Sequence, residues 1–432
     1  MMGRLRRGWR TLTDSDRRRE RLALAFGILT GLFGIAISAN EFASSPELDF
    51  QAYYFAGQAV LDGEAFVGPA IKEGSFLTDK EYVYAPITVF VFVPFGALPS
   101  WQIGYLLNVG LLTAVFYLIG RLNLEYLEGR GVALERVDRW LVLGFCLFSG
   151  HAILGVYRGN VDPIMLLLIA GGFLAVERGD QLRGGALWAV AALFKLFPAF
   201  LGIWLLYRRA YRAIAAAIVV GLGGLAAGVL VFGIDAHVRF FEFILEERSR
   251  APAFEGGLDP TYKWFTVRRP LSQIAAVPGN LLFVLSAAVV APVVYVLYRD
   301  ADSETDRLVA FFATMAALLI SVVPSTLNYV TYLFFPLVAL LYLLEDRRAR
   351  RLLVTGLILV SVPVYPQEIA LLVDIAPVPP AIGDPIVAGS REILTYASVP
   401  LVGFLCFLAA AVRQVRTVPP ARDGTDRPVR GD

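Results

Sequence analysis

Cysteine and histidine each occur twice in 432 residues, and only 18% of the chain is charged. Cys146 and Cys406 both lie inside apolar runs, which argues against a disulfide framework. His151 and His237 stand alone in the sequence and read as packing or interface residues. No paired-histidine metal spacing, CxxC pair or phosphate-binding Gly-Lys loop occurs, and a Ser-His-Asp hydrolase has no support. The scarcity of charge excludes an ordinary soluble domain, which carries about 25% charge and roughly 45–50% apolar residues. Here 57% of residues are hydrophobic and the mean hydropathy is +0.63. This is the composition of an all-α polytopic membrane protein. A net charge of +2 carries no nucleic-acid footprint, so membrane lipids are the surroundings this composition implies.

A crossing helix needs about 20 apolar residues. The sequence offers 21–39, 101–120, 139–156, 160–177, 213–233, 280–298, 306–324, 328–344, 350–366 and 391–412. The run 185–207 is interrupted by Lys195 and Pro198, and proline breaks a helix interior. It reads as two short half-spans meeting at "KLFP". Seven arginines precede the first apolar run, no small-residue cleavage site follows it, and an uncleaved first span is expected.

The stretch 82–99 contains Pro86, Pro94 and Pro99, and positive charge decides its reading, because short cytoplasmic loops collect Lys and Arg. With the N-terminus inside, the first outer loop, 40–100, holds eight acids and only Lys72 and Lys80 as bases. If 82–99 does not cross, "RLNLEYLEGR", "ERGDQLR", "YRRAYR", "YRDADSETDR", "EDRRARR" and "RQVR" all fall inside. The expectation is therefore twelve crossing segments, two of them half-spans. The first outer loop then carries interfacial elements, and both termini are cytoplasmic. A basic N-terminus over 1–20, a transmembrane domain over 21–412, a large outer loop at 234–279 and a disordered tail over 413–432 complete the organisation. The Arg-for-Lys bias points to a GC-rich prokaryotic genome, and hence to a prokaryotic cell membrane.

Polar residues then gather on the outer side. From Asp49 to Leu61 bulky residues recur at helical spacing before Gly63, as in a short amphipathic helix lying at the interface. Asp49 reads either as its N-cap or as a catalytic carboxylate, and the two are compatible. Lys195 at a helix centre would cost roughly 2.5–3.5 kcal/mol; it either snorkels to headgroups or binds an anion. Arg158 sits near Asn160 and Asp162, as a structural pair with Asp162 or in a functional role. Lys263, Arg268 and Arg269 run against the positive-inside trend, which invites an anionic ligand, with loop solvation as the alternative. Asn328 and Tyr329 lie at a span mouth as a cap, a turn or a ligand contact.

Three pieces then carry a family resemblance, in order: "LDFQAYYFAGQAVLDGEAF", "YVYAPITVFVFVPFGALPSW", and the central block from "LGVYRGNVDP" through "FKLFPAF" to "YRRAYR". Over residues 45–215 the chain resembles the C-type glycosyltransferases, and is most similar to glycosyltransferase family 87, the polyprenol-phosphate-mannose-dependent α-mannosyltransferases. The run "YRGNVDP" departs from the Gly-Gln many members have there. The resemblance implies Asp49 as general base and places Lys195 of Lys-x-x-Pro on the active-site side. It also puts the Tyr84-Ala85-Pro86 element beside the site.

The expected reaction moves a sugar, mannose by the resemblance, from a polyprenyl-phosphate donor to a glycan or glycolipid acceptor, with inversion. Lys195, Arg158, Lys263, Arg268 and Arg269 are candidates for the donor phosphate. Tyr53, Tyr54, Tyr84, Asn160, Asp162, Asn328 and Tyr329 are candidates for the cleft. No cofactor or metal set is indicated, and metal dependence stays open. A transporter or flippase of lipid-linked sugars, with "FKLFP" as a broken transport helix, is the competing class.

Overall fold

The computed structural model describes residues 17–44, 49–67, 82–247, 251–274, 277–299, 301, 303–323, 325–362, 364–376 and 378–417. The basic segment 1–16 and the residues beyond Thr417 lie outside the described residues. Among those described, every regular element is helical, and Val67 and Tyr82 form an isolated bridge. Five helices are long and apolar enough to cross a membrane: Trp101–Gly129, Arg136–Arg158, Tyr211–Leu245, Gly279–Arg299 and Val399–Thr417. The chain is an all-α membrane protein.

The first apolar run forms α1 (Arg18–Ser44), and the outer-loop segment forms α2 (Asp49–Asp62), stopped by Gly63 at φ +71°. The amphipathic helix expected at the interface is instead enclosed, with Phe50, Tyr53, Tyr54 and Ala56 all buried. It is covered because 82–99 folds over it as a 3-10 turn (Pro86–Val91) and the four-residue α3 (Val93–Gly96). Its prolines allow no continuous crossing helix there.

Next come α4 (Trp101–Gly129), α5 (Arg136–Phe148) and α6 (Gly150–Arg158). The span expected over 139–156 falls within Arg136–Arg158, interrupted locally at Ser149, whose backbone is extended. The next pair is α7 (Asp162–Glu177) and α8 (Gln181–Phe194). Lys195 is extended, a 3-10 turn (Phe197–Leu201) follows, and α9 (Gly202–Tyr207) completes the pair of half-spans expected around "KLFP".

The long α10 (Tyr211–Glu242) is kinked at Gly233. The short α11 (Arg268–Ile274), α12 (Gly279–Arg299) and α13 (Glu304–Ser321) follow. A 3-10 segment (Leu327–Leu333) leads into α14 (Phe334–Leu343), then α15 (Arg347–Val360), α16 (Pro366–Ile375), α17 (Pro380–Tyr396) and α18 (Val399–Thr417).

The span expected at 391–412 is therefore two helices, separated by extended Ala397. Pro400 explains the break, since proline is tolerated in a first turn and not mid-helix. The last helix runs to Thr417, into the stretch read as tail, and Arg413 within it pairs with Asp346 at 2.8 Å. Likewise the helix expected over 350–366 stops at Val360, before Pro366 opens the next one.

Ion pairs collect at one end of the bundle. Arg21 near the start of α1 clasps Asp138 of α5 bidentately, at 2.7 and 2.9 Å. Glu20 reaches Arg350 of α15 at 3.6 Å. Arg130, just past α4, meets Glu304 of α13 at 2.8 Å. Glu177, closing α7, pairs with Arg307 at 2.8 Å and with Arg208 at 3.6 Å. The other end of α7, roughly 22 Å away at 1.5 Å per residue, begins with Asp162.

The placement of Asp162 opposite Lys195 follows from how closely α8 is held. A Cβ on Gly184 would stand 2.5 Å from Val176 Cγ2 and 2.9 Å from the Gly172 carbonyl oxygen, while one on Gly185 would stand 1.9 Å from the Ala213 carbonyl oxygen of α10. Small residues permit such contacts, the usual device of membrane helix pairs. Trp188 Nε1 adds a hydrogen bond to the Ile169 carbonyl at 2.9 Å. Gly185→Val should therefore destabilise the protein by at least the ~1–3 kcal/mol typical of overpacking. Thermal unfolding in detergent measures this, and an unchanged midpoint would refute the close approach.

Candidate active site

Asp162 opens α7 from a turn that α4 holds. Gly159 closes α6 with φ +65°, and its carbonyl accepts from Asn108 Nδ2 of α4 at 2.9 Å. Tyr105 donates its hydroxyl to the Tyr157 carbonyl at 2.8 Å. Asn160 Oδ1 accepts the Asp162 amide N–H at 3.1 Å, fixing the start of the helix.

Lys195 follows the end of α8, where the last carbonyls of a helix lack intrahelical partners. One of them, Leu193 O, accepts from the Ala85 amide at 3.1 Å. The Tyr84-Ala85-Pro86 element thus caps the half-span that delivers Lys195, and the resemblance had placed that element beside the site.

Asn328, Tyr329 and Tyr332 come from the 3-10 segment before α14, and His151 Nδ1 hydrogen-bonds the Leu327 carbonyl beneath them at 3.0 Å. Asn328 Oδ1 accepts from Thr326 Oγ1 at 2.5 Å, which leaves Nδ2 to donate to Asp162 Oδ2 at 2.6 Å. Tyr332 donates its hydroxyl to Asp162 Oδ1 at 2.5 Å. Lys195 Nζ completes the set by pairing with the same oxygen. Lys195 also donates to the Tyr329 hydroxyl at 3.3 Å, with Nζ 4.4 Å from that ring's centroid, a cation–π distance. The carboxylate is fully buried and takes three side-chain donors, so its lone pairs are engaged. Asp162 is the residue that holds Lys195; the pairing with Arg158 considered from sequence does not form.

Asp49 is the half-buried first residue of α2. Two buried phenols, Tyr53 of α2 and Tyr84, have their hydroxyls 2.6 Å apart. Burial pushes both well above the usual tyrosine range, so both stay protonated. Tyr53 lies one helical turn after Asp49, while the Tyr84 ring packs on Phe194, the residue before Lys195, at 5.7 Å between centroids. The two acids and the lysine therefore share one neighbourhood.

The other candidates divide. Arg158, half-buried at the end of α6, makes no side-chain hydrogen bond or ion pair with the described residues. Tyr54 pins α2 by donating to the Leu98 carbonyl at 2.7 Å. The basic cluster of the large loop is not brought into this set. Lys263 pairs with Glu368 at 2.6 Å. Arg268 donates to the carbonyls of Ser321 and Val322, and Arg269 to those of Tyr262, Trp264 and Leu394. Buried guanidinium groups need such acceptors, and these fasten the loop to α13 and α17. Among the described residues no three His, Cys, Asp or Glu side chains gather as a metal set.

Tyr332, Asn108 and His151 were not expected here. A polar Asn108 inside an apolar run was the legible signal, and Tyr332 shares a helical face with Asn328 and Tyr329. Tyr332→Phe should cost about 1.5–3 kcal/mol, the usual worth of a hydrogen bond to a charged group, and loosen Lys195. Unfolding together with the KM for donor would report it, and no change in either would deny Tyr332 this role.

A glycosyltransferase family 87 profile matches residues 82–326. That match starts after Asp49 and extends well past residue 215, where the resemblance read from the sequence ends. No curated protein and no solved structure matches the chain. With more than half of the chain covered, including the Lys195 element and the turn that presents Asp162, the protein belongs to glycosyltransferase family 87.

Proposed function

We propose that the chain transfers a hexose from a polyprenyl-phosphate donor to a glycan or glycolipid acceptor at the outer membrane face, inverting the anomeric carbon. The observation that carries this reading is the common neighbourhood of Asp49 and Lys195 about the Tyr53–Tyr84 pair. Asp49 takes the acceptor hydroxyl proton as that oxygen bonds to C1. The C1–O bond to phosphate breaks, its electron pair leaves with the lipid phosphate, and no general acid is needed. This is the base half of an inverting glycosidase.

Lys195 directs two of its three N–H groups at Asp162 and Tyr329; the third is left for a phosphate oxygen. Arg158 supplies a second cation. Preorganised donors of this kind stabilise the charge that develops on the leaving group. The resemblance adds mannose as the donor sugar.

Twelve crossings with cytoplasmic termini are part of the proposal. Support comes from the ion-paired helix ends, which are the ends that the arginine-rich loops flank. In this reading Asp162 and Lys195 lie at the opposite, outer end.

Purified protein in detergent, given labelled polyprenyl-phosphate mannose and an acceptor panel with and without chelator, should form a new glycosidic bond. Absence of product with every acceptor, alongside movement of the lipid across sealed vesicles, would replace this reading with a transporter.

A further inference from the structure

At the ion-paired end, far from this site, a cavity of about 450 Å³ opens between the α7–α8 turn and the α9–α10 turn. Gly179, Asp180 and Leu182 line it from the first turn, and Arg209, Tyr211 and Arg212 from the second. Both turns close with the same bonding. Gly179 N–H donates to Val176 O at 3.0 Å and Asp180 N–H to Ala175 O at 2.9 Å. Arg209 N–H donates to Leu206 O and Ala210 N–H to Leu205 O, both at 3.0 Å.

This motif puts its closing residue in the left-handed region, where glycine is at home. Gly179 obeys, at φ +86°. Arg209, at φ +51°, is the one non-glycine with positive φ among the described residues. A side chain there is disfavoured by about tenfold, so the sequence keeps a guanidinium where a glycine would fold better. Strain of this kind is a pointer to function.

Charge points the same way. Arg208 and Arg307 are committed to Glu177, and Arg130 to Glu304. The side chains of Arg209 and Arg212 have no ion pair or hydrogen bond with the described residues. The acid of the cavity, Asp180, turns to its own helix and accepts the Arg183 amide at 3.2 Å. Leu182 and Tyr211, 61% and 65% exposed, give the cavity an apolar rim beside its charge.

We propose that this cavity binds the phosphodiester headgroup of an anionic phospholipid from the adjoining leaflet. Arg209 and Arg212 hold the phosphate, and Leu182 and Tyr211 meet the start of the acyl chains. Basic pockets between membrane helices serve such lipids. The apolar rim favours a lipid over a soluble phosphate.

Native mass spectrometry of the full chain, titrated with phosphatidylglycerol or phosphatidylcholine, tests this. Arg209→Gly keeps the turn and relieves its φ, so in lipid-free detergent its unfolding temperature should rise. Its phosphatidylglycerol retention should fall about five-fold, and Arg212→Gln should add a similar factor. Wild-type phosphatidylglycerol retention in the folded double variant would overturn the proposal. So would equal retention of phosphatidylcholine, or displacement of the lipid by millimolar glycerol phosphate.

Discussion

Asp162→Ala should unfold most of the protein in detergent, at a cost of about 3–5 kcal/mol, the range for breaking a buried ion pair from one side. The substitution strips Lys195, whose side chain is only 13% exposed, of its counter-charge. It also orphans the Asn328 amide and the Tyr332 hydroxyl, both buried donors that lose their acceptor. A lone ammonium in a low-dielectric site is the larger of these penalties. Replacing both members, Asp162→Ala with Lys195→Met, should recover most of the stability, because an apolar pair of similar bulk is often no worse than a buried ion pair. That double variant should still transfer no sugar, having lost the cation proposed to face the donor phosphate. Equal unfolding midpoints for wild type and the single variant would show that the pair does not form.

Asp49→Asn should separate from this completely. The carboxylate is half-buried at the start of α2, where a negative charge adds only about 0.3–1 kcal/mol. Folding should hardly change. Turnover at saturating donor should fall by about 10²–10⁴, the usual contribution of a general base, while the KM for donor stays near wild type. Asp49→Glu should restore part of the rate, since the group survives at a shifted position. Full turnover by a folded Asp49→Asn protein would leave the reaction without its proposed base. Two acids in one neighbourhood thus have opposite signatures: one variant loses the fold, the other loses the rate.

Much of this was legible in the chain. The break at "KLFP" could be read because Pro198 denies an amide and Lys195 resists apolar surroundings. That 82–99 forms no continuous helix could be read from its prolines, and the stop at Gly63 from the residue itself. The breaks at Ser149 and Ala397 were less visible. At Ser149 the cause is tertiary: α1 passes so close that a Cβ on Gly31 would lie 2.1 Å from the Phe148 carbonyl oxygen. At Ala397 the sign was present in Pro400, within a run that hydropathy alone joins. The enclosure of α2 was hidden because its cover arrives from a segment some thirty residues later.

Residue identity showed which side chains carry chemistry, but not who partners whom. Asp162 lies four positions from Arg158 and thirty-three from Lys195, yet packing selects the distant partner. The glycine contacts of α7 with α8 decide that, and no local pattern announces them. The same holds for Arg268 and Arg269, whose charge reads as ligand-seeking until their carbonyl partners on α13 and α17 are seen.

The family-matched stretch closes at Thr326, two residues before the amide that steadies Asp162 and six before the phenol that joins it. A chain trimmed to that stretch would keep the lysine and its acid yet deprive the acid of two of its three donors, and would also lack Asp49. Ancestry recognisable in the middle of the molecule therefore does not mark out a self-sufficient unit; the flanks finish the polar cluster around Asp162.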